Sequence, residues 1–418
     1  MSKAPNFKRT KLACYAAYFT MSSIFCIPPL LFVPLRETFG ISYTLLGTLV
    51  LVNFITQLGV DLIFTFFSRH INHGLMLRVM PLITSLGMAV YALIPTLFPS
   101  FAYGGLLIGT VIFSLSAGLS EALLSPTIAA IPSKNPQRDM SMLHSLYAFG
   151  VLTMVVIGTL FLRLFGTENW HLLMLMLGLF PIIPALLFAL SPLPEMGGHS
   201  AEGSDNPVKR HAVGMAFCVG CIFFGSCAEN AMSNWISGYM ENALGIEKTL
   251  GDILGVAVFA VLLGLVRIGY AAFGKRITPV LFIGMSGAVV CYLVAGLCPG
   301  VALPFAACIM TGLFTSMLWP GALIFMEENI PAVGVTAYAL MAAGGDMGAS
   351  LAPQLLGIVV DGVSATPAAA EIGLRLGISA EQVGLKAGML VTALFPLIGV
   401  GLLWATVRYF KNIKKEKP

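Results

Sequence analysis

The chain has 418 residues, of which 57% are hydrophobic and only 10% charged, with a mean hydropathy of +0.90 and a formal net charge of +4. Soluble domains carry roughly 25% charged residues, so this composition excludes a soluble enzyme or scaffold and defines an all-α polytopic membrane protein. The basic residues are scattered over the chain and form no stripe that would follow a phosphate backbone, which leaves nucleic acid out as a partner.

Lys3, Lys8, Arg9 and Lys11 precede the first apolar run and imitate a secretory leader. The run is too long and lacks a small-residue cleavage site, so a retained first helix is expected. Crossing about 30 Å of hydrocarbon takes roughly 20 helical residues. Twelve runs meet that length: 12–35, 43–67, 75–97, 101–131, 140–164, 171–191, 213–240, 250–273, 278–298, 301–326, 334–361 and 385–409. With the N-terminus on the cytoplasmic side, 17 basic residues fall on inner segments and 5 on outer ones (Arg36, Arg163, Lys248, Arg375, Lys386), with Arg267 inside a span. That bias predicts cytoplasmic N- and C-termini in a cell membrane, the bacterial inner membrane by expectation.

The segment from Ser191 to His211 is rich in Gly, Pro and Ser and reads as a linker. Three segments follow: an N-terminal six-helix bundle over 1–192, a cytoplasmic linker over 193–212 and a C-terminal six-helix bundle over 213–418. Weak matches recur in the same order in both halves. Gly40 pairs with Gly245 and Ile41 with Ile246 at an offset of 205, Ser68 with Gly274 at 206, and Pro126 with Pro320 and Gly150 with Gly344 at 194. Two pseudo-symmetric bundles of this kind place a solute site near the bilayer midplane. The connection from Gly362 to Gly384 has the composition of a short surface helix.

Seven of the eight cysteines lie in apolar runs and act as small filler, while Cys298 is near a loop. Cys218 and Cys221 have redox spacing but no second pair, so neither a metal nor any other cofactor is expected. No catalytic constellation, nucleophile elbow or phosphate loop occurs, and an enzyme is not expected.

Five ionisable residues fall well inside spans: Asp61, Glu121, Glu229, Arg267 and Asp346. Asp61 and Arg267 each lie 8 residues before a basic residue at their helix end, or about 12 Å deep, in equivalent places of the two halves. Glu121 and Asp346 sit near the midplane, and Glu229 in the middle to outer part of its helix. Four carboxylates against one guanidinium leave an excess of negative charge that a membrane interior does not tolerate. Some of the acids therefore hold a proton, or bind a sodium ion, during a working cycle. A bridge between Asp346 and Arg267 is one pairing, and it leaves three acids unexplained.

Neutral polar residues repeat at three- and four-residue spacings that put each set on one helix face: Asn53 with Gln57, Asn230 with Asn234, His144 with Tyr147, and Gln354 two turns after Asp346. Each serves equally for interhelical bonding or solute contact. Trp235 with Tyr239 suits either an interfacial aromatic belt or a stacking platform for a sugar ring. Prolines 28, 29, 126, 320 and 353 predict bends in their spans.

Three stretches carry a family likeness. SEALLSP sets Glu121 five residues before Pro126, MLHSLYAFG runs from Met142 to Gly150, and GSCAENAMSNWISGY holds Glu229, Trp235 and Tyr239. With two six-helix halves, these resemble the major facilitator superfamily, and within it the fucose permease type of sugar:proton symporter. The resemblance implies that Glu121 is a proton or sugar site and that Glu229 and Trp235 contact the solute. Leu30 stands where that type has an acid in its first span, so Asp346 is the substitute expected for ion coupling, and the family's Asp-Arg-x-Gly-Arg loop is reduced to SRHINHG. The expected function is secondary active transport of a small polar solute, a sugar first, by symport with a proton or sodium ion. Glu229, Asn230, Asn234, Trp235, Asn53, Gln57, His144, Tyr147 and Gln354 are the expected solute contacts, and Glu121, Asp346, Asp61 and Arg267 the coupling set. The alternative is a proton-coupled drug or metabolite antiporter of the same fold. That family's fifth span ends in Gly-Pro-x-x-Gly-Gly, and the fifth span here has no proline.

Overall fold

A computed structural model of the protein describes residues 6–67, 71–134, 136–194, 211–273, 276–330 and 335–416. Every regular element among them is helical. Eleven stretches are long and apolar enough to cross a membrane, and the helix Pro136–Phe165 adds a shorter apolar segment, Phe149–Phe165. The expected twelve-span, all-α architecture is therefore present. Helices alone satisfy their own backbone in hydrocarbon, which is why composition alone determined the class.

In chain order the helices are α1 (Lys8–Leu30), α2 (Phe32–Phe39), α3 (Tyr43–Phe67), α4 (His73–Leu97), α5 (Ala102–Ala130), α6 (Pro136–Phe165), α7 (Trp170–Leu179) and α8 (Ile182–Ala189). After the linker come α9 (Ala212–Asn242), α10 (Val258–Phe273), α11 (Ile277–Leu297), α12 (Ala302–Thr315), α13 (Leu318–Asn329), α14 (Val335–Ser364), α15 (Pro367–Leu376), α16 (Ala380–Thr392) and α17 (Leu394–Glu416). Residues 195–210 of the expected linker lie outside the described residues.

Several spans are built from two helices. Pro28 and Pro29 end the first, so α1 gives way to α2 at Leu31. The tenth breaks between α12 and α13, four residues before Pro320, whereas α14 runs unbroken through Pro353. A π-helical segment, Gly251–Ala257, leads into α10. The short surface helix expected after the eleventh span is α15, started by the Thr366 side chain accepting from Ala369 N and stopped by Gly377 at φ +69°.

The internal repeat is visible in the backbone. Gly40 and Gly245, matched by sequence, both adopt φ +65° and close their helices with amides that donate to Arg36 and Glu241 carbonyls at 2.8 and 3.1 Å. Only glycine takes that conformation without strain.

The chain forms two compact units, Met1–Ile41 with Ile55–Ala201, and Ser42–Phe54 with Glu202–Pro418. The first half of α3, up to Phe54, belongs with the second unit. In the first unit α4 and α5 are tied by Thr84 Oγ1 donating to Ser116 Oγ at 2.7 Å, and Tyr91, Phe113 and Trp170 fill the core. In the second, α9 is bound to α11 by the Tyr292 hydroxyl, which donates to the Ala228 carbonyl at 2.8 Å, and by Tyr239, which donates to Ala295. Hydroxyl-to-carbonyl bonds and close packing are the available glue where lipid removes any hydrophobic drive between helices.

Candidate functional site

The second unit contains an ion pair inside its spans. Arg267 on α10 places Nη2 3.2 Å from Glu229 Oε1 and 3.5 Å from Oε2 on α9. The same guanidinium donates from Nε to the carbonyl of Ser316 at 2.9 Å. Residue 320 is the one whose amide would normally take that carbonyl, four residues back in a helix, and proline has no N–H to give. The proline-induced break between α12 and α13 thus leaves an acceptor that holds Arg267 in place, and Arg267 in turn holds Glu229.

This corrects one expected pairing: Arg267 bonds Glu229 and Ser316, and not Asp346. The pair is not sealed. The Arg267 side chain is 37% exposed and that of Glu229 18%. Charge at this depth is costly against hydrocarbon, which favours water or solute at the exposed part. The bonds to Ser316 and Glu229 use Nε and Nη2, which leaves the two N–H groups of Nη1 available among the described residues. The pair therefore offers donors and acceptors side by side, the combination that hydroxyl groups require.

The other expected solute contacts divide. Asn230 and Asn234 share one face of α9, but each spends its amide on its own helix: Asn230 Nδ2 donates to Ser226 O and Oγ at 3.2 and 3.1 Å, and Asn234 Nδ2 to Asn230 O at 2.8 Å. Trp235 is buried, with Nε1 donating to the Pro353 carbonyl at 3.1 Å and its ring 5.5 Å from that of Tyr43. Gln354 is half-buried on α14, its Oε1 buried and accepting no hydrogen bond. Asn53 is buried within the second unit, as is Asp346 on α14. Gln57 is buried in the first unit. The side chains of His144 and Tyr147 lie outside the described residues.

The first unit brings two carboxyl groups together. An oxygen of Asp61 on α3 lies within 4.8 Å of one of Glu121 on α5. The contact follows from Gly118: a Cβ there would stand 2.8 Å from Val60 Cβ and 3.2 Å from Gln57 Cα, so only glycine lets the two helices meet at that level. Two charges at that separation repel by about 3 kcal/mol at an effective dielectric of 20. A proton on one acid, or a cation between them, removes the repulsion.

One group of site-like residues has no counterpart among the expected ones. Asp252, in the π-helical segment, is fully buried, accepts from the Ser237 hydroxyl and lies 3.4 Å from Lys248 Nζ, which is also 3.2 Å from Ser237 Oγ. Asp252 sits at the edge of an apolar run, where hydropathy alone counts it as interfacial. Its signal is the Lys248–Asp252 spacing of four, which a helix start turns to one face.

Helical spans, an internal repeat and buried charges held on broken helices define a membrane transporter rather than an enzyme. The chain belongs to the Major Facilitator Superfamily, whose family model matches residues 12–353. No curated protein sequence matches it. Its fold is shared with solved transporters at low identity. A bacterial homolog of the human lysosomal transporter Spinster, in an inward-facing and unoccupied conformation, aligns with a TM-score of 0.74 at 16% identity over 97% of each chain. A D-xylose-proton symporter aligns at 0.72 and 14%, over 93% of this chain and 96% of that one. The E. coli fucose:proton symporter aligns at 0.60 and 14%, over 96% and 99%.

Proposed function

We propose that the protein is a secondary active transporter that moves a small polar solute, a sugar first, by symport with a proton or sodium ion through alternating access. The observation that carries the reading is the Glu229–Arg267 pair, charged, partly exposed and set on membrane-spanning helices. Side-by-side donors and acceptors suit a vicinal diol, whose hydroxyls donate to the carboxylate and accept from the guanidinium. Asn230, Asn234, Asn53, Gln57, Gln354, His144, Tyr147 and Trp235 are the further proposed solute contacts.

The proposed ion-coupling acids are Asp61 and Glu121, with Asp346 as a third. The closeness of Asp61 and Glu121 supports this role, because a pair of acids that repel gains most from taking up one cation. The reading also places both termini in the cytoplasm of a bacterial inner membrane, supported by the excess of basic residues on the inner segments. The D-xylose-proton and fucose:proton symporters share this fold, which makes sugars the first solutes to try.

The test is uptake into proteoliposomes from a panel of labelled monosaccharides, with a proton or a sodium gradient imposed in turn. Accumulation that collapses with one gradient, and is lost in Glu121→Gln, is the expected result. Downhill flux indifferent to both gradients contradicts the coupling.

A further inference from the structure

The first turn of α3 is capped from another helix of the second unit. Ser42 is its ordinary cap, the hydroxyl accepting from Leu45 N at 3.2 Å. The amides of Tyr43 and Thr44, however, donate to the two carboxylate oxygens of Asp361 on α14, at 3.2 and 2.6 Å. A helix start presents unpaired N–H groups and about half a positive charge, so a carboxylate is the strongest acceptor it can meet.

The surroundings turn this cap into a clasp. The Tyr43 hydroxyl donates to a carboxylate oxygen of Glu381 on α16, and the Tyr43 ring lies against Trp235, whose Nε1 is fixed by Pro353. A Cβ at Gly357 would stand 2.5 Å from the Tyr43 carbonyl, so α14 meets the start of α3 main chain to main chain. The clasped segment ends at Phe54, where α3 passes into the other unit. Trp235, against the Tyr43 ring, is 1% exposed.

We propose that Asp361 is a gating residue of the transport cycle: by capping the first turn of α3 it positions Tyr43 over Trp235 and closes that face, and its release from the Tyr43 and Thr44 amides uncovers Trp235 to solute. The inference rests on the transporter reading above and deepens it, since an uncovered Trp235 presents a ring-stacking surface where Tyr43 now lies. Asp361 acts through Tyr43 and is a positioning residue.

Amide hydrogen exchange and hydroxyl-radical footprinting on the purified full chain in nanodiscs, without added solute, test the clasp. In Asp361→Ala, the amides of Tyr43 and Thr44 exchange at least tenfold faster and Trp235 is oxidised several-fold faster. Asp361→Asn, which keeps one neutral acceptor oxygen, falls between, and Glu381→Gln leaves the two amides within twofold of wild type. Trp170, buried in the first unit, is the internal control and does not change. Unchanged exchange at Tyr43 and Thr44, or an equal rise at Trp170 and along α11 that marks a loosened fold, overturns the proposal. Sugar uptake by the wild-type protein, measured separately, reports on the transport reading, so the two fail independently.

Discussion

Arg267 donates to the carbonyl of Ser316 at 2.9 Å because Pro320 cannot. A single missing amide on one helix thereby fixes the direction of a guanidinium on another, and through it the carboxylate of Glu229 on a third. The solute site proposed here is thus built on a backbone defect, which a bilayer tolerates only where another group re-satisfies the freed carbonyl.

Replacing Pro320 by alanine restores the amide and lets Ser316 O be taken within its own span. The variant is expected to gain thermal stability, because a continuous helix through 316–320 replaces the break that the missing amide leaves. It is expected to lose at least tenfold in solute uptake, because Arg267 loses its anchor. Thermal unfolding and proteoliposome uptake measured on one preparation check both, and a more stable variant with intact uptake separates Ser316 from the site.

Removing Arg267 alone strands the Glu229 carboxylate. For a fully buried pair the cost is about 3–5 kcal/mol; with Arg267 37% exposed, water screens part of it and about 1–3 kcal/mol is expected for Arg267→Ala. The double variant Arg267→Ala, Glu229→Gln leaves no stranded charge and recovers most of the loss, while uptake stays absent. Denaturation midpoints of the two variants decide, and equal destabilisation in both speaks against a coupled pair.

Gly118→Val drives a side chain into Val60 and Gln57, where even a Cβ stands 2.8 and 3.2 Å from their atoms. Overpacking of this kind costs about 1–3 kcal/mol, and it pushes Asp61 from Glu121. Solute binding is expected to survive while gradient-driven accumulation fails. Equilibrium binding and uptake on the same variant read the two separately, and preserved accumulation removes the Asp61–Glu121 contact from coupling.

The class and the repeat were legible because they rest on composition and on glycine. The membrane bundle follows from composition without any contact information, and Gly40 and Gly245 share φ +65° for the reason their sequence match suggests. Glu229, Arg267, Asp61 and Glu121 were legible as residues, since charge inside an apolar run stands out. Their pairing was not. Depth along a helix says nothing about rotation, so Arg267 was as eligible for Asp346 as for Glu229 until the break before Pro320 supplied its second acceptor. Asn230 and Asn234 share a face as their spacing requires, yet bond their own backbone, which periodicity does not distinguish from solute contact. The Asp361 cap joins residues 318 apart, and a carboxylate that caps another helix has no local signature.

Glu229, held by Arg267, is proposed to bind the solute, while Glu121 serves coupling. Calorimetric titration of purified wild type, Glu229→Gln and Glu121→Gln with the monosaccharide that the uptake panel selects tests it directly. Glu121→Gln is expected to bind within threefold of wild type and Glu229→Gln at least tenfold more weakly. Wild-type affinity in Glu229→Gln would contradict it.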